Sequence, residues 1–309
     1  MMSVALVLCV GLPRSLLADQ IKAPPATAPV YDESANATQD VAVAVRRAGF
    51  ENQRVLLDIG GNWCHWCTLL HNLFEENQDI KTLLRSEYQV VNVDIGNGTD
   101  KNADLLAGYG IKPISYPYLA ILGPDNKLVV QQETGALEAG PAHDPQKVMA
   151  FLNQWKASPL DAQKVLSDSL ADAGAHGKRV FLHLGAPWCG WCHKLEDVLY
   201  QPAVADAISA DFVLTKIDTD RMTGAAEVVK KYQTSGGIPW YAIVTPDGKV
   251  VSTSDLTPGN NIGFPTEPAE IDHVMHMFTD GHKNMTDDQI AAVRDAFTKA
   301  AAAVKATMH

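Results

Sequence analysis

The tetrads Cys64-His65-Trp66-Cys67 and Cys189-Gly190-Trp191-Cys192 place two thiols three residues apart at two points in the chain. On a helix that spacing puts both sulfurs on one face, a turn apart, close enough to close a disulfide. The first thiol of such a pair can attack a foreign disulfide and the second can resolve the mixed disulfide that results. Each pair follows a short apolar run, VLLDIG at 55–60 and VFLHLG at 180–185, that reads as a buried strand. Trp63 and Trp188 stand directly before the first cysteines, and helical sequence follows the second ones. A strand that feeds its cysteine into a helix leaves that thiol at the helix N-terminus, where free N–H groups and the positive end of the dipole favour a thiolate. Cys64 and Cys189 are therefore the expected nucleophiles, and Cys67 and Cys192 the resolving thiols. The expected redox-active disulfides are Cys64–Cys67 and Cys189–Cys192.

Metal chemistry is a weaker reading of the same residues. The 121 residues between Cys67 and Cys189 contrast with the roughly 15–20 that separate the two pairs of a zinc ribbon, so no metal and no cofactor is expected. A second cluster, HVMHMFTDGHKNM at 273–285, carries His273, Met275, His276, Met277, His282 and Met285, donors that copper accepts. An amphipathic helix with Met inside and His outside explains the same pattern. A copper-binding thiol chaperone and a redox-inactive interaction protein are the alternatives to disulfide exchange.

The elements that must position the cysteines recur. Cys189 lies 125 positions after Cys64, YQVVNVD at 88–94 matches FVLTKID at 212–218, and YLAILGPDNKLV at 118–129 matches WYAIVTPDGKVV at 240–251. Each copy reads as strand, Cys motif, helices and a second, parallel strand, then an antiparallel hairpin closed at Pro-Asp-Asn/Gly-Lys. A helix precedes each first strand: one capped by Asn36 and Gln39, running through Arg47 and ended by Gly49, the other within 159–173. Pro202 suits the first turn of a further helix. After a Pro- and Gly-rich loop at 258–268 come two helices, the second opened by Thr286 and Gln289. The expected fold class is α/β, with two mixed sheets flanked by helices and a C-terminal helical extension. The expected divisions are 1–18, 19–155, 156–257 and 258–309.

Composition narrows the function. A chain of 309 residues, 46% of them hydrophobic, can bury two cores. Lys+Arg 25 against Asp+Glu 36 gives a net charge of -11, which opposes binding to nucleic acid or an anionic membrane. The start, MMSVALVLCVGLPRSLLADQ, offers an apolar run from Val4 to Leu12, a Pro-Arg break and Ala18, and reads as a signal peptide over 1–18. Cys9 lies within it, and no other stretch approaches the about 20 apolar residues that span a bilayer. A periplasmic or secreted protein, not membrane-spanning after cleavage, is expected. Its four remaining cysteines all sit in the two pairs, not scattered as in a disulfide-stapled scaffold.

Strand, Trp-Cys-x-x-Cys, helix and hairpin together resemble the thioredoxin superfamily, and the resemblance runs twice through nearly the whole mature chain. It is most similar to exported bacterial thioredoxin-like proteins with Trp-Cys-x-x-Cys. The resemblance implies two tandem thioredoxin folds, protein substrates with thiols or disulfides, and a redox partner that recharges the sites. It also implies a cis-proline facing each disulfide, for which Pro117 in SYPYLAIL and Pro239 in GIPWYAIV match. Many thioredoxins carry a buried acid six residues before the nucleophile, which relays a proton. Asp58 holds that position in the first copy, and His183 replaces it in the second. A buried aspartate is pushed toward accepting a proton near neutrality, and a buried histidine is kept neutral, so the two sites are expected to handle protons differently. An imidazolium at His65 would stabilise the first thiolate, and Gly190 supplies no such charge. The first site is expected to have the higher reduction potential. Both loops lack the proline common in thioredoxin.

Overall fold

The structure, a computed structural model, describes residues 29–307; the signal-peptide reading of 1–18 lies outside the described residues. Two four-stranded mixed sheets follow one another along the chain.

In the first copy α1 (Ala37–Glu51) leads into β1 (Arg54–Gly60), α2 (His65–Glu76), α3 (Gln78–Glu87), β2 (Tyr88–Asp94), α4 (Ala103–Gly108), β3 (Tyr118–Leu122) and β4 (Leu128–Glu133). A two-rung hairpin, β5 (Glu138–Ala139) with β6 (Ala142–His143), and α5 (Pro145–Trp155) close it. The sheet order is β2-β1-β3-β4, with β1 parallel to β2 and antiparallel to β3.

The second copy repeats this as α6 (Ala162–Ala175), β7 (Arg179–Gly185), α7 (Gly190–Leu199), α8 (Pro202–Ser209), β8 (Phe212–Asp218), α9 (Ala225–Tyr232), β9 (Trp240–Val244) and β10 (Val250–Thr253). Its sheet order is β10-β9-β7-β8. A small hairpin, β11 (Asp255–Thr257) with β12 (Asn260–Asn261), precedes α10 (Pro268–Thr279) and α11 (Asp287–Thr307).

Each sheet is covered on both faces, which is why its central strands read as nearly continuous apolar runs. On the first sheet α1 and α4 cover one face through Val41, Ala44, Ala48 and Leu106. Leu70, Phe74, Ile80, Leu84, Val148 and Phe151, from α2, α3 and α5, cover the other. On the second sheet α6 and α9 take the first role, while α7 and α8 share the opposite face with α10 and α11. The C-terminal helices thus cover the sheet face that α5 helps cover in the first copy.

Local sequence explains most boundaries. Asn36 accepts the Gln39 N–H and opens α1, but the helix runs past Gly49 to Glu51. Asn52, at φ 50°, takes the left-handed position that the sequence reading gave to Gly49, a conformation Asn tolerates. Asn77 divides the helical stretch after the first cysteine pair: its extended backbone ends α2, and its side chain accepts from Asp79 and Ile80 to open α3. Pro202 is the first residue of α8, and the reciprocal Thr286–Gln289 box opens α11.

Candidate active sites

Both cysteine pairs sit at the same strand-to-helix junction. Cys64 is the N-cap of α2 and Cys189 of α7; their sulfurs accept the N–H of Cys67 at 3.1 Å and of Cys192 at 3.0 Å. Both pairs are disulfide-bonded, with the second cysteine fully buried and the first buried to all but 5–6% of its surface. The Tyr116–Pro117 and Ile238–Pro239 bonds are cis. The Cys189 sulfur lies 3.6 Å from the Ile238 carbonyl oxygen, so the residue before the cis-proline faces the nucleophile.

The tryptophans also repeat. Trp63 and Trp188 are 48% and 63% exposed, so they present ring surface beside the disulfides and are not core residues. Each is anchored by its indole N–H on the loop after the second strand, at the Gly96 carbonyl and the Asp220 carboxylate respectively, both at 2.6 Å. Trp66 meets His143 edge-on and Trp191 stacks on Phe264. His65, the first residue of α2, is solvent-exposed.

Beneath the disulfides the copies diverge. Asp58 is fully buried on β1, and desolvation pushes its carboxyl up to about 7. Its partner is Tyr31, whose hydroxyl donates to Oδ1 at 3.1 Å; burial, then Asp58, hold that phenol far above its usual range. Gly60 makes room for this. A methyl group there would stand 2.6 Å from both the Cys67 sulfur and the Tyr31 oxygen. The chain around Tyr31 is held by Asn62, whose side chain accepts the Tyr31 N–H and donates to the Tyr31 carbonyl.

In the second copy His183 is buried at the Asp58 position, and burial pushes its imidazole down to about 4. A methyl group on Gly185 would lie 3.1 Å from the His183 ring and 3.3 Å from the Cys192 sulfur. Glu196, four residues beyond Cys192, brings Oε1 to 3.8 Å from His183 Nδ1 and Oε2 to 3.1 Å from His193 Nδ1. The bond to Glu196 raises His193, while the Glu196 carboxyl is held below its usual range, its burial outweighed by His193, Lys216 and His183. Lys216, the cross-strand partner of His183, pairs with Glu196 at 2.6 Å and also with Glu51 of α1.

Sequence reasoning missed Tyr31, Glu196, Lys216 and Glu51. One signal was present: Lys216 interrupts a buried strand, FVLTKID, and a buried ammonium requires a partner. The His/Met tail does not form a donor cluster. Met275, Met277 and Met285 are buried in the apolar core, and His273 Nε2 is 2.8 Å from the Thr253 carbonyl. Among the described residues no group of three or more His, Cys, Asp or Glu is placed to hold a metal, and no helix is long and apolar enough to cross a membrane.

Residues 145–299 match the family model Thioredox_DsbH, described as "Protein of unknown function, DUF255", and residues 36–124 match one described as "Thioredoxin-like". A protein disulfide-isomerase of Triticum aestivum is 28% identical over 159 residues, which cover 46% of this chain and 28% of that protein. Spermatogenesis-associated protein 20 of Homo sapiens is 26% identical over 131 residues, covering 38% of this chain and 17% of that protein. The solved structure of a disulphide isomerase from Xylella fastidiosa Temecula1 is 29% identical, covers 42% of this chain and 98% of its own, and superposes with a TM-score of 0.38. The chain thus spans under a third of the length of the curated relatives named here. With one family model over each cysteine pair, and the second reaching across half of the chain, the protein belongs to the thioredoxin superfamily and, through residues 145–299, to the Thioredox_DsbH family.

Proposed function

We propose that this protein is a thiol–disulfide oxidoreductase, exported to the periplasm or secreted, that exchanges disulfides with protein substrates at two sites. The observation that carries the reading is the repeated junction: a cysteine capping a helix, a buried second cysteine, a cis-proline opposite and an exposed tryptophan alongside. Helix-terminal N–H groups stabilise the thiolate of Cys64 or Cys189. That thiolate attacks one sulfur of a partner disulfide; the partner's S–S bond breaks, and its leaving sulfur takes up a proton. Cys67 or Cys192 then loses its proton and attacks the mixed disulfide, and the partner leaves with both sulfurs reduced. Two electrons pass from the site to the partner, and a redox partner must restore them; the reverse sequence oxidises a dithiol.

Asp58 takes the Cys67 proton in the first site, and the buried His183–Glu196 pair takes that of Cys192 in the second. The first site, with His65 in its loop, is the more oxidising. Trp63 and Trp188 form the platform on which substrate rests, and the backbone before Pro117 and Pro239 pairs with it. We place the division between copies at 155/156, because α5 packs into the first core although the Thioredox_DsbH match begins at Pro145. Support for export is the apolar run at 4–12 in the sequence.

Thiol-trapping titrations in defined glutathione buffers test this on variants that keep one site each. Two separate potentials, the higher at Cys64–Cys67, are expected. Undiminished disulfide exchange in the Cys64→Ser, Cys189→Ser double variant would refute the enzyme reading.

A further inference from the structure

Glu51 is the last residue of α1 and is buried. A carboxylate there meets the negative end of the helix dipole and has lost its water. What opposes these penalties in part comes from the other copy. Lys216 on β8 pairs with Glu51, and Arg221 donates to the Glu51 and Asn52 carbonyls at 3.0 and 2.8 Å while pairing with Glu87 at 2.6 Å. Around them Phe50 stacks on Tyr200 with centroids 4.4 Å apart, and Arg47 pairs with Asp197. Arg85 on α3 donates to the carbonyl of Trp188, the residue before the second nucleophile. The first copy therefore touches the second site at its rim and beneath it.

Lys216 links the two. The same ammonium that holds Glu51 holds Glu196, and Glu196 faces His183 and His193. His183 and the Cys192 sulfur converge on the space that a methyl group on Gly185 would fill. The first copy has no equivalent: opposite Asp58 the neighbouring strand carries uncharged Asn92, and Tyr31 supplies the buried partner.

We propose that Glu51 is a positioning residue of the second disulfide: by sharing Lys216 with Glu196 it sets the charge felt by His183 and Cys192, so that the second site is complete only with the first copy seated against it. This rests on the reading of Cys189–Cys192 as an exchange site. In the resolving step Cys192 gives its proton to the His183–Glu196 pair and its sulfur attacks Cys189, expelling the partner's sulfur as a thiolate. The charged and titratable groups packed round Glu51 are Lys216 on β8, Arg221 after it with its partner Glu87, Glu196 and Tyr200 at α7, and Arg47 on α1 itself. Burial pushes the Glu51 carboxyl up to about 7 against the pull of Lys216, so it is above that pH that removing its charge leaves Lys216 less opposed, which favours the Cys192 thiolate and disfavours an imidazolium at His183. Removing Glu51 and Lys216 charges together leaves Glu196 without its cation and has the opposite effect.

The test uses the full chain with Cys64 and Cys67 both replaced by Ser, glutathione disulfide as the probe, and release of glutathione from the mixed disulfide followed from pH 5 to 9. E51Q is expected to move the half-maximal pH of release down by about half a unit or more, and E51Q with K216M to move it up by a similar amount. First-site exchange, measured with Cys189 and Cys192 replaced by Ser, should keep its pH profile in both. An unchanged second-site profile in E51Q, or a shift in the same direction in both variants, overturns the proposal, since loosened packing has no reason to reverse sign. Should E51Q fold poorly, the paired variant decides alone by the direction of its shift. If the parent second site releases no glutathione at any pH, the exchange reading of Cys189–Cys192 fails and the proposal falls with it.

Discussion

Asp58→Asn should cost the first copy stability in acid and turn stabilising at alkaline pH. The Asp58 carboxyl is fully buried and its folded value is raised from 3.8 to about 7, chiefly by desolvation. Between those values the folded state holds a proton that the unfolded chain has lost, so the group lowers stability as pH rises through that window. Below 3.8 both states are protonated and the penalty vanishes. Above 7 both are ionised and it is complete, about 4 kcal/mol at ~1.4 kcal/mol per unit of displacement. From pH 5 to 8 the penalty grows by about 2.5 kcal/mol. Asparagine keeps the acceptor for Tyr31 but puts an amide N–H₂ where Oδ2 has no partner, a cost of roughly 1–3 kcal/mol that does not vary with pH. The slope is therefore the cleaner observable. Urea unfolding at pH 5 and pH 8, read by hydrogen exchange of the β1 peptide, isolates the first copy from the second. A stability difference between variant and parent that stays flat with pH would sink the assignment of Asp58 as a carboxyl buried near its titration point. The same variant should slow first-site resolution about 100-fold or more, the scale of a lost proton acceptor.

Tyr31→Phe removes the one hydroxyl that steadies the Asp58 anion, so Asp58 should rise further and the pH midpoint of first-site exchange should move up, at a stability cost of about 1–2 kcal/mol at pH 8; a pH–rate profile with Cys189 and Cys192 replaced by Ser reads it. Gly60→Ala drives a methyl group against the Cys67 sulfur and the Tyr31 oxygen and should cost about 1–3 kcal/mol, more than Gly185→Ala, whose contacts are looser; paired urea melts of the two copies compare them. Trp188→Ala should change stability by less than about 1 kcal/mol but raise KM for a protein substrate at the second site with kcat nearly unchanged, because it removes exposed surface and an anchor to Asp220 but no group that reacts. Steady-state kinetics with Cys64 and Cys67 replaced by Ser decide that case.

What the sequence made legible was whatever its periodicity and spacing encode locally. Apolar runs gave the strands, Asn36 and Thr286 gave helix starts, and the Cys-x-x-Cys spacing put each pair on its helix cap. The α1 terminus was misplaced at Gly49 because glycine is the usual left-handed residue, yet Asn52 took that position and carried the helix to Glu51. Those extra residues matter, since they bring Glu51 under Lys216.

Two of the partners beneath the disulfides, Tyr31 and Glu51, were illegible because neither lies in the repeated segment that it serves. Tyr31 precedes the first helix and reaches Asp58 across 27 residues; Glu51 reaches Lys216 across 165. Comparing aligned positions in the repeat exposes a substitution such as Asp58 to His183, but it cannot show what each residue meets. The structure makes those substitutions intelligible as pairs. An acid on β1 faces an uncharged Asn92 and takes a phenol from its own copy, whereas a histidine on β7 faces a lysine whose ammonium pairs with two carboxyl groups, one from each copy. Separating the copies would thus leave the first site with its partners intact and the second with Lys216 short of one anion. An expressed second copy that exchanged disulfides with the same pH profile as the full chain would contradict that asymmetry.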